Sequence, residues 1–401
     1  MNIILAGPYP PFQGGAAILN AVLAQNLADR GHSIRILSSC TEQTRGDAER
    51  FDLQHPAIVV RRVSVPNYLL VNEKPDEVAL KTESEKLQPL LIEELDRSEP
   101  DAVILGREPG TCGPMNELTS RKIPFITILH GGIIRSLASG RTGEPLATAQ
   151  KRTLQASAFV VPVSPNMVEE VIEPLGLTRC HVIPNASSTI SFRPGPRDAD
   201  LAAFLAIRPE DIVVAHVSNL KRVKAPLDFI HAAALSLRSR PDLMFLVVGD
   251  GECRQEMQAT ASALGIAGRV RFSGWVDHVQ VPKYMRLADI VVMPSETEAR
   301  SLACLEALAS GRALVTTDIP ASRGLVEHEK NGLLVPVHDR AELARSIVRL
   351  AADEELRATL GRNARSRALR NSTGQMADAY EELLLGIIRA NPHRLPAGVN
   401  S

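Results

Sequence analysis

Short apolar runs alternate with longer stretches of helical periodicity along the chain, the pattern of strands and helices taken in turn. Asn2–Ala6 is the first apolar run. It breaks into Gly7-Pro-Tyr-Pro-Pro-Phe-Gln-Gly-Gly15, and Ala16–Gly31 follows with helical spacing and a glycine stop. Ser33–Leu37 resumes as a strand, and similar units recur through Ala102–Leu105, Pro124–Leu129 and Ala158–Val163. Strands that are apolar on both faces and separated by helical segments predict parallel sheets covered by helices. Residues 184–196 change character to Pro-Asn-Ala-Ser-Ser and then Phe-Arg-Pro-Gly-Pro, a turn-rich break that suits a linker. The alternation then restarts through Ile212–Val217, Leu243–Val248, Val270–Phe272, Ile290–Met293 and Ala313–Thr316. The expectation is an α/β chain of two Rossmann-like domains, 1–187 and 188–375. Residues 376–401 finish a terminal helix that begins near Thr373 and run into a loose polar tail from Asn391.

Composition narrows the classes. A length of 401 residues with 44% hydrophobic content supplies two cores, and 45 basic against 46 acidic side chains speak against a nucleic-acid surface. Five scattered cysteines without a C-x-x-C pair indicate neither a disulfide framework nor a zinc site, which fits a reducing cytoplasm. The start Met1–Phe12 lacks the basic and long apolar regions of a signal peptide, and no run reaches the length of a membrane span. Nothing in the pattern sets an oligomeric state.

Ligands of open parallel sheets sit beyond the carboxyl ends of the strands, so residues just after strands are the candidates. Gly14 and Gly15 precede the first helix, where backbone amides can meet a phosphate or sugar oxygen or simply form a turn. His130 ends a strand ahead of Gly131-Gly132, in reach of a sugar hydroxyl if it is not a structural histidine. The segment beyond it carries Arg135, Arg141, Lys151 and Arg152, which suits an acidic acceptor, a weak contact with an anionic membrane surface or a solvated loop. Asn219, Lys221, Arg222 and Lys224 lie between a strand and a helix opening near Pro226. Cations there oppose the helix dipole and so suggest an intervening anion such as a diphosphate. Gly249-Asp-Gly251 is a glycine turn after a strand, and Trp275-Val276 a strand end that can read a base edge or pack inward. The fullest signal runs from Met293 to Arg312. Glu298 lies in a loop, a helix opens near Arg300, Ser301 and Leu302, and Glu306 sits among Leu305, Ala307 and Leu308, where an unpartnered acid is costly. Two carboxylates flanking a helix start can grip vicinal diols while helix amides take phosphate oxygens.

In their order these motifs resemble the retaining glycosyltransferases of family 4, with the GT-B fold of two Rossmann-like domains whose parallel sheets face a cleft, over Asn2 to about Ala390. The resemblance rests on Gly14-Gly15, His130-Gly, Ile183-Pro-Asn185, Lys224, Gly249-Asp-Gly251, and Glu298 and Glu306 at E-x7-E spacing before Ala-Leu-Ala-Ser-Gly. It implies a nucleotide-sugar donor, a small-molecule or glycan acceptor, no cofactor and no metal. Lys224 and Lys221 would hold the diphosphate, Glu306 the ribose and Glu298 the donor sugar, with His130 and Gly15 closing from the first domain. His130, Glu298 and Lys224 would be the catalytic groups. Three departures stand out. Ser218-Asn219-Leu220 replaces the usual Gly-Arg-Leu, a form that looks like the branch glycosylating malate in bacillithiol synthesis. Ala299-Arg300-Ser301 replaces Gly-Phe-Gly, and Ala186 replaces a glycine. A nucleotide-sugar 2-epimerase and a non-catalytic nucleotide-sugar or glycan-binding protein are the alternatives. The sole D-x-D, Asp198-Ala-Asp200, reads as a helix cap rather than a metal motif.

Overall fold

The computed structural model describes residues 1–11, 14–52, 55–66 and 77–391. The predicted loose tail lies almost wholly outside the described residues. Contacts divide the chain into two units, one of Met1–Asn185 with the stretch from Thr373 onward, the other of Ala186–Ser372.

In the first unit the strands are β1 (Asn2–Ala6), β2 (Ser33–Cys40), β3 (Ile58–Ser64), β4 (Ala102–Leu105), β5 (Phe125–Leu129) and β6 (Phe159–Pro162). They form one sheet in the order β3-β2-β1-β4-β5-β6, every pairing parallel. The second unit repeats the arrangement with β7 (Ile212–Val217), β8 (Leu243–Val248), β9 (Val270–Phe272), β10 (Ile290–Met293), β11 (Ala313–Thr317) and β12 (Leu333–Val335). Its order, β12-β11-β10-β7-β8-β9, is likewise parallel throughout. Both are doubly wound sheets whose strand order reverses at one point, between β1 and β4 and between β7 and β10. That reversal opens a crevice at the carboxyl edge.

The strands read from periodicity are present. The two omitted ones, β3 and β12, are edge strands. β3 is fully buried only at Ile58 and turns polar at Arg61 and Arg62 after three apolar residues, and β12 is three residues long, so neither shows a long apolar run. The central strands β4, β5, β8, β10 and β11 are buried at every residue, which explains why they read so clearly.

The terminal helix, Thr373–Arg389, belongs to the first unit. Tyr380 and Leu384 are buried, and Arg30 and His32, just after the first helix, pair with Asp378 at 2.7 Å and Glu381 at 2.8 Å. Its apolar face is therefore committed to packing. Among the described residues no helix is long and apolar enough to cross a membrane.

Candidate functional site

In the second unit three loops meet at the carboxyl edge around the β7/β10 reversal. The loop after β7 contains a single 3₁₀ turn, Arg222–Lys224, ended by Ala225 in the left-handed conformation before the helix Pro226–Leu237. Lys224 Nζ donates to Glu298 Oε1 at 2.6 Å, and Ser295 Oγ donates to the same oxygen at 3.0 Å. Two candidates 74 positions apart in the chain are thus in direct contact. Both are largely buried, at 20% and 11% side-chain exposure, so their charges act through little water. Lys221 is half-buried and its ammonium has no partner among the described residues, whereas Arg222 is exposed and pairs with Glu256 at 3.4 Å. Of the three cations, Lys221 alone has a charged end without a partner among the described residues.

The loop after β10 leads into the helix Leu302–Ala309, capped by Ser301, whose Oγ accepts from the Cys304 amide. Arg300 lies before that cap. Burial pulls its guanidinium down to about 10, with the positive charge of Arg367 acting in the same direction. Glu306 is 3% exposed, and the partner that its apolar surroundings require is His278, whose Nε2 lies 2.6 Å from Oε1. Burial raises the Glu306 pKa and the His278 bond opposes that rise. The second carboxylate oxygen has no hydrogen bond among the described residues.

The third loop, Gly249–Gly251, closes against the first. A Cβ on Gly249, where φ is +123°, would stand 1.9 Å from the Ser218 carbonyl oxygen, and one on Gly251 would stand 2.8 Å from the Leu220 amide nitrogen. Here glycine serves close backbone packing, which holds the Ser218–Leu220 turn and half-buried Asn219 in place. Trp275 differs from its packed reading, being 48% exposed, because β9 is an edge strand that ends three residues earlier; half-buried Val276 packs on the core instead. Asp198 caps the helix Ala199–Phe204 through the Leu201 amide and pairs with Lys283 at 3.3 Å, so its carboxylate is engaged structurally.

In the first unit, Gly14 and Gly15 open the helix Gly15–Asp29, and a Cβ on either would meet no atom of the described residues within 4 Å. Packing among the described residues does not demand Gly15. His130 follows β5. Burial pushes its imidazole down to about 4, a backbone hydrogen bond with Gly106 opposing this and the charge of Arg107 adding to it, so the ring is neutral at physiological pH. Its Nε2 is buried without a hydrogen-bond partner among the described residues. Arg107 and Glu108, just after β4, were not singled out in the sequence. Arg107 pairs with Glu83, and Glu108 is 3% exposed with burial raising its carboxyl to about 7. The strand-end rule that selected His130 points to Gly106-Arg107-Glu108 as well. Of the basic segment, Arg135 is held by Glu170 at 2.5 Å, leaving Arg141, Lys151 and Arg152 exposed.

Known proteins resemble the chain across both units. Residues 14–186 match the glycosyl transferase 4-like domain, and residues 199–367 match the glycosyl transferases group 1 family. The N-acetyl-alpha-D-glucosaminyl L-malate synthase of Bacillus anthracis is 25% identical over 387 residues, covering 94% of this chain and 96% of that protein. The D-inositol 3-phosphate glycosyltransferase of Saccharomonospora viridis is 33% identical over 273 residues, 62% of each chain. Among solved structures, sucrose-phosphate synthase of Thermosynechococcus elongatus superposes with a TM-score of 0.78 at 19% identity, covering 97% of this chain and 100% of that one. Anabaena Alr3699/HepE in complex with UDP and glucose superposes at 0.76 with 20% identity, over 95% and 99%. Two matched domains in the expected order, on two doubly wound sheets with their acids and cations gathered at the carboxyl edge, make the chain a glycosyltransferase of group 1, family 4, with the GT-B fold.

Proposed function

We propose that the protein is a retaining, metal-independent transferase that takes its sugar from a UDP-sugar and passes it to a small hydroxyl-bearing acceptor in the cytoplasm. The observation that carries this reading is the Lys224–Glu298 pair beside the Ser301-capped helix, a cation, a carboxylate and free helix amides at one strand edge. A diphosphate leaving the anomeric carbon develops negative charge. Lys224, Lys221, Arg300 and the helix amides supply the compensating positive charge in a partly dry setting, where it acts most strongly. Glu298 then takes hydroxyls of the donor sugar and Glu306 those of the ribose. Retention follows from front-face displacement: the acceptor oxygen bonds to the anomeric carbon on the side from which the diphosphate departs, with no protein nucleophile.

The first unit supplies His130 as a neutral imidazole able to exchange hydrogen bonds with hydroxyls. UDP is supported by its presence in the complexes of Alr3699/HepE. N-acetylglucosamine and L-malate are supported by the near full-length likeness to the Bacillus anthracis synthase, and the Ser218-Asn219 turn points the same way. Five cysteines that all remain free thiols suit a reducing compartment. The test is to incubate the protein with UDP-glucose or UDP-N-acetylglucosamine and a panel of hydroxyl acceptors headed by L-malate and inositol 3-phosphate. Proton NMR then reads the anomer. An α-linked product from an α-linked donor is expected, and a β-linked product overturns the retaining assignment.

A further inference from the structure

The strand β7 carries a histidine in an otherwise apolar sequence, directly beneath the donor loops. His216 has no exposed surface, and its ring lies tilted against Phe229 with centroids 5.4 Å apart. Its Nδ1 is 3.0 Å from the carbonyl oxygen of Val292 on β10, and its Nε2 is 2.8 Å from Oγ of Ser218. A carbonyl only accepts, so Nδ1 must carry the ring hydrogen. A neutral imidazole has one N–H, so Nε2 is an acceptor and takes the hydroxyl hydrogen of Ser218. Burial keeps the ring neutral, pushing its pKa down to about 4.

The consequence falls on Ser218. A serine beside a phosphate ordinarily donates its O–H to a phosphate oxygen, but here that hydrogen is committed to His216. What Ser218 presents is lone pairs, which repel phosphate oxygens and suit a hydroxyl donor. Ser218 is half-buried, and its Oγ has no second partner among the described residues. It stands where β7 ends at the strand-order reversal. The charges of Lys224 and Glu298 both act on His216, so the pair lies within their field. Lys224 Nζ donates to Glu298 at 2.6 Å and makes no bond to Ser218 among the described residues, so the Ser218 lone pairs are open to a hydroxyl of a bound sugar.

We propose that Ser218, oriented by His216, accepts a hydrogen bond from a hydroxyl of the donor's glycosyl group, so that the pair reads the sugar and not the diphosphate. Ser218 is the contact and His216 a positioning residue. The inference rests on the second unit being the donor site.

Calorimetry on the full-length protein with UDP, UDP-glucose and UDP-N-acetylglucosamine tests it, alongside ¹⁵N NMR of the histidine rings. Ser218→Ala should leave UDP affinity within about twofold and weaken the better UDP-sugar roughly fivefold to tenfold, the range of one neutral hydrogen bond. His216→Asn should weaken the UDP-sugar similarly in the natural background and add nothing in the Ser218→Ala background. NMR should show His216 as the Nδ1–H tautomer. Equal losses for UDP and UDP-sugar, no loss for either, additive effects of the two substitutions, or an Nε2–H tautomer each overturn the proposal. An unsubstituted protein that binds none of the three nucleotides overturns the donor-site reading and the sugar contact with it, while the tautomer measurement still decides the relay. Melting curves keep misfolding of His216→Asn separate, and Ser218→Ala, at a half-buried loop position, carries the test alone if that variant does not fold.

Discussion

Glu306 offers the most direct perturbation, because its burial and its geometry pull in opposite directions on stability and binding. The carboxylate is nearly enclosed, with Oε1 held 2.6 Å from His278 Nε2 and the other oxygen unpartnered among the described residues. Removing it in Glu306→Ala relieves a desolvated charge and opens a small void, two effects of opposite sign. It also frees His278, whose side chain is 31% exposed and can be hydrated. The net change in stability should therefore stay within about 1 kcal/mol, a shift of only a few degrees in a chain of this size. Binding should respond far more. A hydrogen bond from a ribose hydroxyl to a charged acceptor contributes about 1.5–3 kcal/mol, so Kd for UDP and KM for the donor should both rise roughly 10- to 150-fold. The contact exists in the ground state as well as the transition state, so kcat should change little. Glu306→Gln, which keeps the shape and loses the charge, should fall between. Calorimetry with UDP and initial rates over donor concentration read both quantities. A Glu306→Ala protein that melts normally and binds UDP with unchanged affinity refutes the ribose assignment.

Three further outcomes follow from the same geometry. Lys224→Ala should lose most of kcat/KM and up to about 3 kcal/mol of stability, since it strands Glu298 at 11% exposure. Adding Glu298→Gln should restore the melting temperature but not the rate, and a rate restored with it would deny Lys224 a chemical role. Turnover should survive excess EDTA, and the Asp198→Ala, Asp200→Ala double variant should remain active; loss of turnover to chelation with recovery on Mg²⁺ would place the diphosphate on a metal instead. His130 is held near 4 against 6.5 when unfolded, so between those values the unfolded chain binds a proton that the native state does not. Stability therefore falls as pH drops from about 6.5 to 4, by up to about 3 kcal/mol from this group. His130→Asn should lose less melting temperature than the natural protein between pH 7 and pH 5, and parallel pH profiles would refute the buried neutral ring.

The fold was legible because its information is local. A strand covered on both faces must be apolar at every position, and β4, β5, β8, β10 and β11 announce themselves in this way. Edge strands escape the rule. β3 is only partly buried beyond Ile58 and carries Arg61 and Arg62 mid-strand, and β12 offers too few residues for any period to show. Membership of a unit is a different kind of fact. The helix Thr373–Arg389 displays its amphipathic period in sequence, but its place on the first unit is fixed by Arg30 and His32, more than 340 positions away.

The site divides along the same line. Glu306, Lys221 and Lys224 stand out in the sequence because an acid in an apolar helix and cations at a helix start are locally anomalous, and Glu298 because it lies in the loop before that helix; features of that kind need no partner to be noticed. What the sequence could not give is the pairing that resolves each anomaly. Nothing local links Lys224 to Glu298, or Glu306 to His278, which the fold brings to 2.6 Å in both cases. His216 was invisible for the opposite reason. One polar residue in a buried strand looks like tolerated noise until Val292 and Ser218 are seen on either side of its ring, and only then does the direction of each hydrogen bond follow. Residues whose chemistry is set by a neighbour's lone pair, as Ser218 is, therefore belong to the part of function that begins where pattern reading ends.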